Sequence, residues 1–304
     1  MTTTTQSTLL LSEKTPTFIG DLFSLTKPRL SSLVILTSAL GMWLAPGSIS
    51  ILHAVISILA TSGLVGGACA INCYLEKDID KLMDRTKDRP LPSGRISENT
   101  ALSFGLGLMG ICLLTLFYFI NPLTSVLGFI AAVVYILLYT PMKTKTSWAL
   151  FAGAIPGAIP PLMGWTSVTG SLGTLGVILF AILFIWQLPH FLSIAIYHVN
   201  DYNRADIKTH PGHIGISATI HKIGVYTLAL FFVSMLPFYI GAVSEGYKYA
   251  VLLIGGGYFV YSLWGHALEE GTPALLQWAR RYFYGSLVYL PCVFILMIFF
   301  RNIV

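Results

Sequence analysis

Between Asn72 and Gly94 the chain reads NCYLEKDIDKLMDRTKDRPLPSG, and these 23 positions hold five of its 13 acids and five of its 18 bases. Asn72, Glu76 and Asp80 recur every four residues, which on a helix makes one polar stripe. Asp84 lies one step further along it. An amide and carboxylates are hard oxygen ligands, and Mg2+ is commonly held by one or two carboxylates together with substrate phosphates. Arg85, Lys87, Arg89 and Arg95 follow the acids and suit phosphate oxygens, arginine in bidentate fashion. Acids alone would suit a proton path, and bases alone a lipid-headgroup patch. Both together suggest a Mg2+-bridged diphosphate. The plainer alternative is a charged loop laced with helical ion pairs. Asp78 falls off the stripe, two residues from Glu76, and reads as solvated, as does Asp88.

A second polar stretch, 198–213, offers Asp201, Arg204, Asp206, Lys208 and three histidines, enough for a second Mg2+ site opposite the first. An ordinary solvated connection is the competing reading. Just before it, His190 sits in the run WQLPHF after the helix-bending Pro189. A histidine there is either a hydrogen-bonded packing residue or a contact to a haem or other acceptor.

The elements that must position these groups are too apolar for water. The chain of 304 residues is 55% hydrophobic and 10% charged, with mean hydropathy +0.75, whereas a soluble domain carries about 25% charge. Nine stretches approach the roughly 20 residues needed to cross a bilayer: 30–45, 51–73, 101–120, 123–139, 148–165, 172–196, 223–242, 247–268 and 284–300. They lack barrel alternation, so an all-α polytopic membrane bundle of nine helices is expected. The chain divides into a disordered tail, 1–25, and one membrane domain, 26–304. The two long connections, 74–100 and 198–222, follow the second and sixth spans, which suggests two related four-helix halves plus a ninth helix. Gly63/Gly67 and Gly153/Gly157 would let helices approach closely. GAIPGAIPP, 153–161, predicts a break or kink in the fifth span, tolerable only where protein or a cavity surrounds it.

Sixteen of the eighteen basic residues fall on the side that carries the N-terminus, leaving Lys248 and Arg301 opposite. The positive-inside rule makes that side cytoplasmic and the C-terminus external. It also accounts for the net charge of +5 without a nucleic-acid partner. Cys69, Cys73, Cys112 and Cys292 lie in spans without C-x-x-C spacing and read as packing residues rather than zinc ligands or disulfides. The Thr- and Ser-rich start lacks the features of a signal or transit peptide. A bacterial inner membrane is the simplest address.

Asn72-x3-Glu76-x2-Ile79-Asp80-x2-Met83-x-Arg85-Thr86-x2-Arg89-x4-Gly94 resembles the signature of the UbiA superfamily of intramembrane prenyltransferases. Tyr139-Thr140 with Lys143, the 153–165 segment, Trp186-Gln187-x-Pro189-His190-Phe191 and Asp201-Tyr202 are similar to its haem-farnesylating branch, and the resemblance runs from about Thr26 to the C-terminus. It implies a nine-helix fold and the reaction of protohaem IX, farnesyl diphosphate and water to give haem O and diphosphate. Carried over by position, Asn72, Glu76, Asp80 and Asp201 would hold Mg2+, while Arg85, Arg89 and Lys143 would grip the diphosphate. A haem A synthase or terminal oxidase would use the product. Glu76 stands where the family more often has Asp, and the polar run Lys208-Thr209-His210-Pro211 replaces a more apolar one.

Two other functions fit parts of the pattern. A prenyltransferase acting on an aromatic quinone precursor would use the same donor site. A transporter would need ionisable groups at mid-membrane, whereas here they cluster at one face.

Overall fold

The computed structural model describes residues 17–84, 86–199, 202 and 208–302, the side chains of residues 29 and 30 excepted. Helices α1 (Phe18–Leu25), α2 (Pro28–Leu44), α3 (Ile51–Leu75), α4 (Lys77–Asp80), α5 (Glu98–Thr115), α6 (Pro122–Val133) and α7 (Thr140–Met142) form the first half. α8 (Ala149–Thr169), α9 (Thr174–Tyr197), α10 (His210–Ile214), α11 (Ile216–Tyr239), α12 (Glu245–Leu263) and α13 (Pro273–Phe299) complete the order. Several starts are written in the sequence. The side chains of Ser50, Ser97, Asn121 and Thr272 each accept from the backbone N–H three residues on, and Pro28, Pro122 and Pro273 fill first-turn positions that need no donor.

Seven of the described helices are long and apolar enough to cross a membrane. The other two of the nine expected spans are present as α2 and α8 but do not meet that criterion. α2 has only 17 residues, and α8 carries Pro156, Pro160 and Pro161 together with Gly153, Gly157 and Gly164, which lower its hydropathy. α8 is the most enclosed part of the bundle: from Ala158 to Ser167 every residue is buried. Of the break or kink expected at GAIPGAIPP, the break is absent: α8 continues through its prolines as one helix. Its position inside the bundle explains how they are tolerated.

Close helix approach depends on glycine. A Cβ on Gly41 would stand 2.0 Å from the Pro161 carbonyl oxygen, and one on Gly164 would stand 1.9 Å from that of Ser38, so α2 and α8 touch backbone to backbone. Gly67 and Gly105 do the same for α3 and α5. Of the glycine pairs singled out above, Gly63 meets Cys112, Gly153 the Tyr139 ring and Gly157 the Gln187 amide.

The expected disordered tail ends too late. Residues 1–16 lie outside the described residues, but α1 begins at Phe18 with Thr17 as its cap. It is fixed to the polar connection by Arg95, whose Nε lies 3.0 Å from Asp21, and by Leu25, 1% exposed. At the other end of the bundle, Arg301 donates to the carbonyls of Trp43 and Ala45 at 3.0 and 3.3 Å, tying the C-terminus to the end of α2. Since Lys27 caps the start of α2 and holds Asn72, the Arg301 end lies across the bundle from the charged Asn72–Gly94 connection.

Candidate active site

The stripe that the four-residue spacing predicts runs through the end of α3 into α4. The Glu76 N–H donates to the Asn72 carbonyl at 2.9 Å, and the Asp80 N–H to that of Glu76 at 2.8 Å. Asn72, Glu76 and Asp80 are 1%, 4% and 1% exposed and line the charged end of a cavity of about 500 Å³. The cavity continues into the bundle past Val34, Leu64, Ala132, Pro160 and Met163. A polar mouth and an apolar interior of this size are what an amphipathic ligand with a long hydrocarbon tail requires.

Each polar residue of the stripe meets a cation. Lys143 Nζ lies 3.1 Å from both Glu76 carboxylate oxygens. An Arg89 guanidinium nitrogen donates to Asp80 Oδ2 at 2.8 Å. Lys27 Nζ donates to Asn72 Oδ1 at 2.7 Å, and Asn72 Nδ2 donates to Thr140 Oγ1 at 3.1 Å. Burial opposes charge on Lys143, one residue past its span, but Tyr139 and Glu76 outweigh it and hold its pKa above the ordinary lysine value. The share that the Lys143 charge contributes is therefore complete as pH reaches that ordinary value from below and is lost as pH rises through the raised one. His210, also on the wall, is pushed down to about 4 by burial, with Lys222 and His213 adding repulsion, so it brings no charge to the mouth at neutral pH.

One oxygen is left over. Asp80 Oδ1 is buried and makes no hydrogen bond, an arrangement that costs free energy unless a ligand completes it. An unused carboxylate oxygen beside a second carboxylate and an amide oxygen fits a hard cation that keeps waters and phosphate in its shell. Among the described residues no three His, Cys, Asp or Glu side chains converge as a closed metal site. The donor set suits Mg2+ shared with a substrate rather than a structural ion.

The other sequence candidates fall in different places. Arg85 and Asp201 lie outside the described residues. Asp84 is exposed and pairs with Lys87 at 3.1 Å, outside the cavity wall. Asp78 is exposed and pairs with Lys81. Arg95 serves Asp21 instead of the cavity. His190 lines the cavity with its ring stacked on Trp186 at 4.5 Å, and its Nδ1 lies 2.6 Å from Ser286 Oγ.

Sequence reasoning missed two contributors. Lys27 counted only as a topogenic charge, yet its backbone is left-handed at φ 51 directly before Pro28, and its ammonium enters the cavity. A residue before proline in that conformation is strained, and such strain persists where surrounding contacts enforce it. Lys27→Met is expected to raise the KM for an allylic diphosphate about tenfold, consistent with losing a charged hydrogen bond. Steady-state kinetics over donor concentration check this, and an unchanged KM would remove Lys27 from the site. The second contributor is a π-helical turn, Val134–Tyr139, after α6. It places Tyr135 and Tyr139 on the wall with rings stacked 5.6 Å apart, and the Thr140 hydroxyl donates back to the Tyr135 carbonyl at 2.8 Å. π turns recur at functional sites.

Comparison with known proteins agrees with this geometry. Residues 34–299 match the model of the UbiA prenyltransferase family. The protoheme IX farnesyltransferase of Myxococcus xanthus is 44% identical over 282 residues, 93% of this chain and 95% of its own. That of Anaeromyxobacter dehalogenans is 44% identical over 284 residues, with the same coverage of both chains. In fold the chain is similar to a digeranylgeranylglyceryl phosphate synthase, TM-score 0.74 at 16% identity over 92% of this chain and 98% of that one. It also resembles a UbiA homologue from Archaeoglobus fulgidus bound to GPP and Mg2+, TM-score 0.70 at 17% identity over 91% and 99% of the two chains. With its spans, its cavity and these matches, the chain is a multi-pass membrane protein that belongs to the UbiA prenyltransferase family.

Proposed function

We propose that the protein is a haem O synthase, transferring farnesyl from farnesyl diphosphate to a vinyl group of protohaem IX with addition of water and release of diphosphate. The observation that carries the reading is the buried Asn72–Glu76–Asp80 stripe, with its unused Asp80 oxygen, at the mouth of an apolar cavity. The acceptor rests on the relatives, which are named for protohaem IX at 35–44% identity.

Asn72, Glu76 and Asp80 would hold Mg2+, which when bound neutralises charge on the departing diphosphate. Lys27, Arg89 and Lys143 supply fixed positive charge at the same end of the cavity, worth more there than in water. The C1–O bond of the donor breaks with its electron pair on the diphosphate. The vinyl π pair then forms the new bond to C1, and water adds to the carbon left cationic, releasing a proton to solvent. Tyr135, Tyr139, Trp186 and the aliphatic wall keep water from the allylic cation until the bond has formed. No side chain need act as a nucleophile. The charge asymmetry supports a cytoplasmic donor site and an external C-terminus in a bacterial inner membrane. A haem A synthase or terminal oxidase would consume the product.

Expression in cells lacking the activity, followed by pigment analysis, is expected to restore haem O. Membranes that contain the protein but only haem B would refute the assignment. In parallel, labelled farnesyl diphosphate is expected to mark haem and not 4-hydroxybenzoate; the reverse result would move the protein to the quinone branch. Diphosphate release that depends on the acceptor excludes transport alone.

A further inference from the structure

Beyond the main cavity, a second hollow of about 230 Å³ opens where the end of α9 meets the start of α13, lined by Ile194, Tyr197, His198, Arg280, Phe283 and Tyr284. Arg280 stands between two tyrosine rings, 5.9 Å from the centre of Tyr197 and 5.7 Å from that of Tyr284. Aromatic faces hold a guanidinium in place, and although Tyr284 also takes a hydrogen bond from it, a guanidinium has five N–H donors and keeps others for a ligand. Four cations at the charged end of the bundle pair with carboxylates: Lys77 with Glu98, Arg89 with Asp80, Arg95 with Asp21 and Lys143 with Glu76. Among the described residues no carboxylate pairs with Arg280, which is exposed and held by the two rings instead. A guanidinium held without an acid is prepared for an oxyanion from outside the chain, and its planar fork matches a carboxylate.

The hollow adjoins the reaction cavity. Ile194 lines both. Phe283, on the wall of the hollow, packs 4.9 Å from the ring of His190, on the wall of the cavity. Tyr197 lies seven residues beyond His190 on α9, about 10 Å along the helix, towards the charged end of the bundle. The hollow is too small for a whole tetrapyrrole but admits one edge of it, since ligand sites usually start at about 300 Å³. Protohaem has two faces to its chemistry: a propionate edge that needs water or cations and a vinyl edge that is apolar. Docking the propionate edge at Arg280 keeps it at the membrane surface and turns the opposite edge inward past Ile194 and His190.

We infer that Arg280, held between Tyr197 and Tyr284, binds a propionate carboxylate of the tetrapyrrole acceptor and so sets which edge of the macrocycle faces the farnesyl donor. This rests on the haem reading above, and the test separates the two. Full-length protein in phosphatidylcholine nanodiscs is titrated with protohaem by its Soret absorbance and assayed for farnesyl transfer. Arg280→Gln is expected to weaken haem binding and raise the haem KM about tenfold, the scale of a lost charge-assisted hydrogen bond. The KM for farnesyl diphosphate should not move. Arg280→Lys should restore part of the loss, keeping the charge but not the planar fork, and Arg281→Gln, about 100° around the helix, should change neither constant. With haem dimethyl ester, whose propionates carry no charge, wild type and Arg280→Gln should bind alike.

Equal loss for the free acid and the ester would make Arg280 a packing residue and overturn the inference, as would unchanged binding in Arg280→Gln. If the effect appears only when the nanodiscs contain anionic lipid, Arg280 serves a lipid phosphate and the inference fails. Wild-type protein that binds haem but forms no haem O would instead remove the farnesyl-transfer reading, and the binding titration would still decide the role of Arg280.

Discussion

Asp80→Asn is expected to lower haem O formation by about 10²- to 10³-fold, the loss usual when one preorganised electrostatic group is removed from a developing charge. The substitution is nearly isosteric. Asn can still accept from Arg89 through its carbonyl oxygen, so the contact at 2.8 Å survives in neutral form. The free carboxylate oxygen Oδ1, the one atom of the stripe without a hydrogen bond, becomes an amide NH2, which repels a cation. Folding should hardly suffer, because the wild-type protein leaves that buried atom unsatisfied and gains little from it. The expected pattern is a thermal midpoint within a few degrees of wild type and almost no turnover. Raising Mg2+ should recover part of the activity, since the remaining ligands, Asn72 and Glu76, stay in place. Normal turnover in Asp80→Asn would sink the metal–diphosphate assignment. A collapsed midpoint would instead make the residue structural.

Why the stripe was legible and its partners were not follows from range. A four-residue repeat is a local property, and the backbone bonds Glu76 to Asn72 and Asp80 to Glu76 realise it with no tertiary help. Which cation meets which acid is not local. Arg89 and Arg95 look equivalent in sequence, yet Arg89 turns to Asp80 while Arg95 turns to Asp21 on a helix that reads as tail. Asp21 is surrounded by Thr, Ser and few charges, and only the packing of Leu25 beside Ala70 and Cys73 shows why α1 is ordered. Lys27 lies 45 positions from Asn72, and a charge near the start of a first span is fully explained by topology. Asp84 fails for a geometric reason. The turns after Asp80 end the helix, so the next step of the stripe points to solvent, where Lys87 takes it. The π turn that presents Tyr135 and Tyr139 has no signature in an apolar run, because it differs from an α-helix by a single inserted residue.

The fold, by contrast, was readable wherever composition decides it and unreadable where two backbones must touch. Gly164→Val is expected to destabilise the protein by about 3 kcal/mol, at the upper end for overpacking. Its Cβ would lie 1.9 Å from the Ser38 carbonyl oxygen and 2.8 Å from the carbonyl carbon, and backbone cannot swing aside as a side-chain tip can. Relief requires α2 to move away from α8. Lys27 caps the start of α2 and its ammonium holds Asn72, so the movement should reach the donor site along that helix. Gly110→Val is the matched control: its added Cβ would meet nothing within 4 Å, and its helix, α5, faces outward there. It should cost no more than about 0.5 kcal/mol, as substitutions away from packed contacts do. Thermal unfolding in one detergent compares the pair, and KM for farnesyl diphosphate follows whatever protein remains folded. Equal midpoints would mean that α2 and α8 slide freely. A lowered midpoint with an unchanged donor KM would break the link from Gly164 through α2 to Lys27. A lowered midpoint with a raised donor KM is the expected result, and it would tie the packing of the short first span to the grip on the diphosphate.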